Sequence, residues 1–212
     1  MNTAEIVNGY KIIKDSEVLS NINLKFEKGK IYGLIGRNGS GKTMILRLLA
    51  GIMKPTKGNV YYDGKNINEK GFIKPDIGLV IENIGVYSEF SGKKNLEILA
   101  GIRNKISVKE VEAAIQRVGL DPNNNKPVKK YSLGMRKRIV IAQAIMEEPE
   151  IIILDEPTNG LDADGVKLFR KIIKEERDRG AIVVIASHNN EDMEGLFDEI
   201  YKIESGKLVN IE

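Results

Sequence analysis

The 212-residue chain predicts an α/β fold: a phosphate-loop core with a mainly parallel sheet, a small antiparallel β subdomain and an inserted α-helical subdomain. Three observations carry this expectation. The short aliphatic runs Ile31–Ile35, Ile151–Leu154 and Ala181–Ala186 read as strands buried on both faces, as parallel strands in such sheets are. A glycine-rich loop, Gly36 to Thr43, follows the first run and opens a helical stretch from Met44 to Ala50. Between about Ser88 and Glu148 the strand signal vanishes and helical periodicity takes over.

Taken in order, Val60-Tyr61-Tyr62 followed by Asp63-Gly64 reads as strand and turn, so the N-terminal region is expected to be antiparallel. Ile77–Ile81 is a fourth buried strand. Ser107 with Glu110 forms a capping box, after which Val108, Val111, Ile115 and Val118 recur at helical spacing. Asn123–Pro127 is a loop, and Val166, Phe169, Ile172 and Ile173 mark the buried stripe of a later helix closed by Gly180. Ser205-Gly206 splits Tyr201–Ile203 from Leu208–Ile211, so the tail also reads as antiparallel. The chain is expected to form one domain over 1–212, with residues 1–87 and 149–212 as core and β subdomain and 88–148 as the helical subdomain.

Composition excludes several classes of function. The longest apolar run spans only Ala181–Ala186, far below the roughly 20 residues a membrane helix needs. The start of the chain lacks the basic and apolar segments of a secretory signal. There is no cysteine, which removes disulfides and thiolate metal sites and suits a reducing compartment. With 33 basic against 30 acidic residues the charge calls for no nucleic-acid partner. The densest basic cluster, Lys129, Lys130, Arg136, Lys137 and Arg138, reads as a solvated face or as a contact for phosphate or a membrane-side partner.

Chemistry concentrates in two motifs. Gly36-Arg37-Asn38-Gly39-Ser40-Gly41-Lys42-Thr43 matches the phosphate loop throughout. Its glycines let successive amides turn toward phosphates at a helix N-terminus, Lys42 would reach the β- and γ-phosphates, and the Thr43 hydroxyl would ligate Mg²⁺. The run Ile151–Leu154 then delivers Asp155 and Glu156 to one sheet edge. Asp155 suits Mg²⁺, mostly through water, and Glu156 would point at the attacking water of a nucleoside triphosphatase.

The order GRNGSGKT, YSLGM, IIILDEPTNGLD and then Ser187-His188 resembles the ATP-binding cassette family, the nucleotide-binding subunits of ABC transporters, over nearly the whole chain. That resemblance implies a RecA-like phosphate-loop core and cassettes that pair head to tail. Ser132 and the Gly134 amide, within the signature Ser132-Leu133-Gly134-Met135, would grip the γ-phosphate held by the second cassette. Asp162 would be the acid crossing the same interface, and His188 the histidine that contacts the γ-phosphate. The chain departs from the family pattern at Leu133 and Met135, where glycine and glutamine are usual. It also carries Glu82 where a glutamine that holds Mg²⁺ or water is usual, and Ile13 where an aromatic usually stacks on adenine, with Tyr10 three residues earlier. An aliphatic base contact predicts loose discrimination between ATP and GTP.

The resemblance, closest to bacterial export or drug-resistance cassettes, implies an ATP-hydrolysing transporter subunit. It would use ATP and Mg²⁺, pair with a second cassette and work with separate transmembrane permease subunits on the inner face of the cell membrane. A soluble cassette acting on nucleic acid or ribosomes is the alternative. Such relatives usually carry two cassettes or a long coiled coil, and neither is present here.

Overall fold

The computed structural model describes residues 1–81, 85–188 and 193–209. Strand β1 (Thr3–Ile13) forms a hairpin with β2 (Ser16–Glu27), and β3 (Ile31–Ile35) leads through the glycine-rich loop into α1 (Lys42–Leu49). Strands β4 (Lys57–Tyr62) and β5 (Lys65–Asn66) complete an antiparallel sheet of order β2-β1-β4-β5. After β6 (Ile77–Val80) come three helices, α2 (Gly92–Arg103), α3 (Val108–Arg117) and α4 (Leu133–Ile145). The chain then alternates β7 (Ile151–Asp155), α5 (Ala163–Asp178) and β8 (Ile182–Ser187), and ends in β9 (Glu199–Glu204) and β10 (Lys207–Val209).

The second sheet has the order β10-β9-β3-β8-β7-β6, so the loop after β3 and the acids ending β7 flank β8 at the same edge. Each central strand divides its side chains between two cores. Ile152 and Leu154 of β7, with Val183 and Ile185 of β8, pack against the helices α2 to α5. Ile151 and Ile153, with Ile182, Val184 and Ala186, pack toward α1 and the antiparallel sheet. Burial on both faces is why these strands are continuous aliphatic runs.

The tail forms its expected antiparallel hairpin, at the edge of a sheet whose other pairings are parallel. Only β10 runs antiparallel to β9, whereas β9 itself lies parallel to β3, with Tyr32 opposite Glu199 and Ile35 opposite Lys202. The Ser205-Gly206 turn reports the hairpin alone, because its local geometry says nothing about which distant strand takes the other edge.

Helix ends are set by their caps. Ser91 Oγ accepts from Lys94 N, the Ser107–Glu110 capping box forms as expected, and Ser132 Oγ accepts from Met135 N at 3.2 Å to start α4. Helix α3 is tied to α5 by charge. The carboxylate of Glu176, with no exposed surface, is shared by Arg117 of α3 and by Arg179, whose Nη2 lies 2.6 Å away.

Candidate functional site

Close backbone approach shapes the loop after β3. A β-carbon at Gly36 would lie 2.2 Å from the Ile203 carbonyl oxygen of β9, so this glycine lets the loop sit against the core sheet. Gly41, at φ +109°, is the left-handed residue that turns the loop into α1, and Leu19 packs over it. The buried Lys42 ammonium donates to Gly36 O at 2.7 Å and Arg37 O at 3.2 Å, which holds the loop as an open ring.

The acids of β7 meet this loop. Thr43 Oγ1 donates to Asp155 Oδ2 at 2.6 Å, joining the start of α1 to the end of the strand. Glu156 stands in the left-handed region at φ +48°, held by its own amide on Ala186 O at 2.9 Å. A non-glycine residue there is strained, and strain of this kind is tolerated where the surroundings over-determine the backbone. Its carboxylate lies 4.0 Å from Lys42 Nζ and 2.8 Å from His188 Nδ1. The imidazole is close enough to pair if protonated but is not aligned as a hydrogen bond, and both carboxylate oxygens are buried without a donor among the described residues. Ser40 Oγ, inside the loop, is buried and unpartnered in the same way. Buried polar atoms without partners are costly, so these three oxygens mark where a polar ligand and its water belong.

Asn38 to Thr43, with Asp155, Glu156 and Val18, line a cavity of about 450 Å³. A second cavity of about 830 Å³ opens on the other side of the loop, between Arg37, Asn38 and His188 and the Lys202–Ser205 end of the final hairpin. The structure therefore brings Gly36 through Thr43, Asp155, Glu156 and His188 together. Glu82 lies outside the described residues. Neither Ile13 nor Tyr10 lines either cavity. Ile13 sits exposed at the hairpin end opposite Ser16, and Tyr10 pairs with Lys57, while Val18 is the hairpin residue on the loop cavity.

The stretch Ser132–Met135 lies outside the two cavities beside the phosphate loop, although Leu133 shares a third with Asp155. Ser132 and Leu133 are exposed at the start of α4. Asp162 caps α5 by accepting from Gly165 N at 2.8 Å, and that bond, aided by Arg138, holds its carboxyl below the usual aspartate range. Its side chain remains mostly exposed. A third cavity, about 520 Å³, has an apolar floor of Val80, Val86, Val128 and Val140 and is edged by Lys129, Arg136, Lys137 and Asp155, with Lys129 paired to Glu89. Of the basic cluster, Arg138 pairs with Asp162 and Lys137 donates to Glu156 O at 3.4 Å. The motifs did not reveal these two roles. Only the i,i+4 spacing of Leu133–Lys137 and Gly134–Arg138 hints that they share a face with the signature.

Thr43 and Asp155 supply a hydroxyl and a carboxylate, hard oxygen donors that suit Mg²⁺. Among the described residues there is no cluster of three or more acids, histidines or cysteines that could hold a metal ion. Among the described residues no helix is long and apolar enough to cross a membrane.

The chain matches the family model described as ABC transporter over residues 19–159. It is 43% identical over 208 residues to the uncharacterized ABC transporter ATP-binding protein YybJ of Bacillus subtilis (strain 168), covering 98% of this chain and 95% of that one. To the bacitracin transport ATP-binding protein BcrA of Enterococcus faecalis it is 41% identical, covering 97% of this chain and 67% of the other. To the lantibiotic transport ATP-binding protein SrtF of Streptococcus pyogenes it is 35% identical, covering 91% and 82%. The dimeric post-hydrolysis structure of the cassette MJ0796 bound to ADP and Pi superposes with a TM-score of 0.88 at 23% identity, covering 99% and 97%, which shows the shared fold.

Proposed function

The chain belongs to the ATP-binding cassettes of ABC transporters, the ATPase subunits that power them, and on that premise we propose how its residues divide the work. The observation that carries the proposal is the Glu156 carboxylate, buried between Lys42 and His188 and without a hydrogen-bond donor among the described residues. Gly36 to Thr43 cradle the triphosphate of ATP, with the loop amides and the α1 N-terminus facing its charge. Lys42 leaves the carbonyls of Gly36 and Arg37 for the β- and γ-phosphates. Thr43 and Asp155 would hold Mg²⁺, which when bound neutralises phosphate charge. Glu156 orients the attacking water and accepts its proton, and His188 steadies that carboxylate and the γ-phosphate. Most of this catalysis is positioning and charge stabilisation.

Ser132 and Leu133 are exposed at the start of α4, outside the two cavities that the phosphate loop lines, which supports their acting on the ATP of a second cassette. In that head-to-tail pair the free N-terminus of α4 would meet the γ-phosphate, and the exposed Asp162 would cross to the partner. Residues 88–148 would serve as the lobe that carries the signature, joined to a core of 1–87 and 149–212. Separate membrane subunits would dock through a segment seated in the cleft floored by Val80, Val86 and Val140. The cassette would then sit at the inner face of the membrane. Relatives named for bacitracin and lantibiotic transport support an export or resistance role.

Steady-state hydrolysis and light scattering test the assignment together. Glu156→Gln should cut ATP hydrolysis by about a hundredfold or more, a typical span for a lost acid–base group, while ATP and Mg²⁺ drive the variant into stable pairs. Hydrolysis that survives in Glu156→Gln would remove Glu156 from its role. A variant that stays monomeric with saturating ATP would count against head-to-tail pairing. Recovery of a polytopic protein with the tagged cassette from gently solubilised membranes is expected, and recovery with ribosomes alone would contradict the transport role.

A further inference from the structure

The first turns of α4 bear on the loop from Glu156 to Asp162 at several points. Leu133 lies over Gly160 so closely that a β-carbon added there would be 2.6 Å from Leu133 Cδ2. A β-carbon at Gly134 would come within 3.2 Å of the Gly160 carbonyl oxygen. One turn later, Lys137 Nζ donates to the Glu156 carbonyl oxygen at 3.4 Å, and Arg138 Nη2 meets Asp162 Oδ1 at 3.2 Å. The helix thus touches both ends and the middle of this loop.

Within the loop Pro157 and Thr158 are buried, and Asn159 and Gly160 are exposed. The Glu156 amide bonds to Ala186 O and the Leu161 amide to Thr158 O, while the buried Thr158 hydroxyl has no partner among the described residues. Glu156 and Gly160 both stand at positive φ, +48° and +85°. Lys137 on the Glu156 carbonyl and Ala186 on its amide thus hold the peptides on both sides of this residue. Lys137 is half-buried and donates to that carbonyl rather than reaching for a carboxylate.

We propose that Lys137 is a positioning residue: it fixes the backbone of Glu156, so that hydrolysis in one cassette depends on where its own signature helix sits. This rests on the reading of Glu156 as the hydrolytic acid and of the α4 N-terminus as the group that meets the second cassette's nucleotide. When α4 docks on that nucleotide, Lys137 and Leu133 carry its position to the neighbouring loop. Each site then fires only when its own signature is engaged across the interface. The coupling passes through direct contacts and needs no long pathway.

The test uses the full chain with Lys137→Met, which keeps stem length and helix preference, and Lys137→Arg, which restores a charged donor. Lys137→Met should lower kcat by about threefold, as expected for the loss of one long hydrogen bond, with KM for ATP changed less than about twofold. Lys137→Arg should recover most of kcat. In a Glu156→Gln background, adding Lys137→Met should leave ATP-driven pairing intact. Wild-type kcat in Lys137→Met would overturn the proposal, and so would an arginine variant as slow as the methionine one. Loss of pairing in the double variant would place Lys137 at the interface and equally overturn it. Failure of the underlying reading looks different: Glu156→Gln itself would then keep hydrolysing.

Discussion

Glu176 is the residue whose loss should most change the attachment of the helices between β6 and β7. Its carboxylate has no exposed surface and receives Arg117 from α3, with Arg179 Nε at 3.0 Å and Nη2 at 2.6 Å from α5. Removing one partner of a buried ion pair typically costs about 3–5 kcal/mol, because the remaining charge loses its compensation. Here both arginines keep other acceptors. Arg117 still reaches Glu175 at 2.8 Å, and Arg179 donates to the carbonyls of Glu148 and Pro149 at 3.1 and 2.7 Å. Glu176→Ala should therefore fall at the low end, near 3 kcal/mol. For a chain of this size each kcal/mol is worth about 2–4 °C, so the thermal midpoint should drop by roughly 6–12 °C. Circular dichroism melts of the nucleotide-free protein measure this. Replacing Arg117, Glu176 and Arg179 together by Met, Leu and Met should recover much of the loss, since apolar packing can replace a buried charge cluster. A drop of less than 2 °C for Glu176→Ala, or a triple variant less stable than the single one, would refute the reasoning.

Two further perturbations probe the site and the helix starts. Gly36→Ala pushes a β-carbon against the Ile203 carbonyl, which cannot rotate away, and overpacking of this kind costs about 1–3 kcal/mol. The loop should lift from β9 and affinity for ATP should fall at least about fivefold by titration with a fluorescent analogue, an unchanged affinity being the contrary result. Amide bonds hold the carboxyls of Asp162 and Glu110 below their ordinary values of 3.8 and 4.5, Gly165 donating to the first and Ser107 to the second. A lowered carboxyl adds stability above its unfolded value and loses it as pH falls through the lower folded one, so thermal midpoints should hold steady to about pH 5 and decline below about 4. Glu110→Gln should flatten part of that acid decline, and an identical acid limb would show that the capping carboxylate contributes nothing.

Residues whose chemistry is local could be read from the sequence. The strand before Gly36, the capping box at Ser107 and the acids ending β7 announce themselves because each requirement lies within a few residues. Glycine at 36 was likewise legible as part of a phosphate loop, although the reason it must be glycine is the carbonyl of Ile203, some 167 residues away. What escaped depends on which surfaces meet. Val18 lines the loop cavity, a place no motif assigned to it, because which hairpin residue covers the loop depends on how β2 lies over it. Pairing of β9 with β3 was hidden because both edges of a hairpin look alike in one dimension.

Lys137 makes the physical limit plain. A four-carbon stem with an ammonium serves water, a phosphate or a carbonyl equally well, so its residue type cannot say which it meets. Within an Arg-Lys-Arg run the solvated face was the economical reading. Yet Arg138, its neighbour, is bound to Asp162, and the helix start is fixed by Ser132, so the position of Lys137 follows from those two anchors and not from its own chemistry. The same anchors put Leu133 on Gly160, where a larger residue at 160 would be expelled. A leucine in the signature therefore reads as packing that stiffens the contact between α4 and the catalytic loop. Where glycine stands in other cassettes that contact would be looser, and the dependence of hydrolysis on Lys137 should be correspondingly weaker in Leu133→Gly than in the native chain.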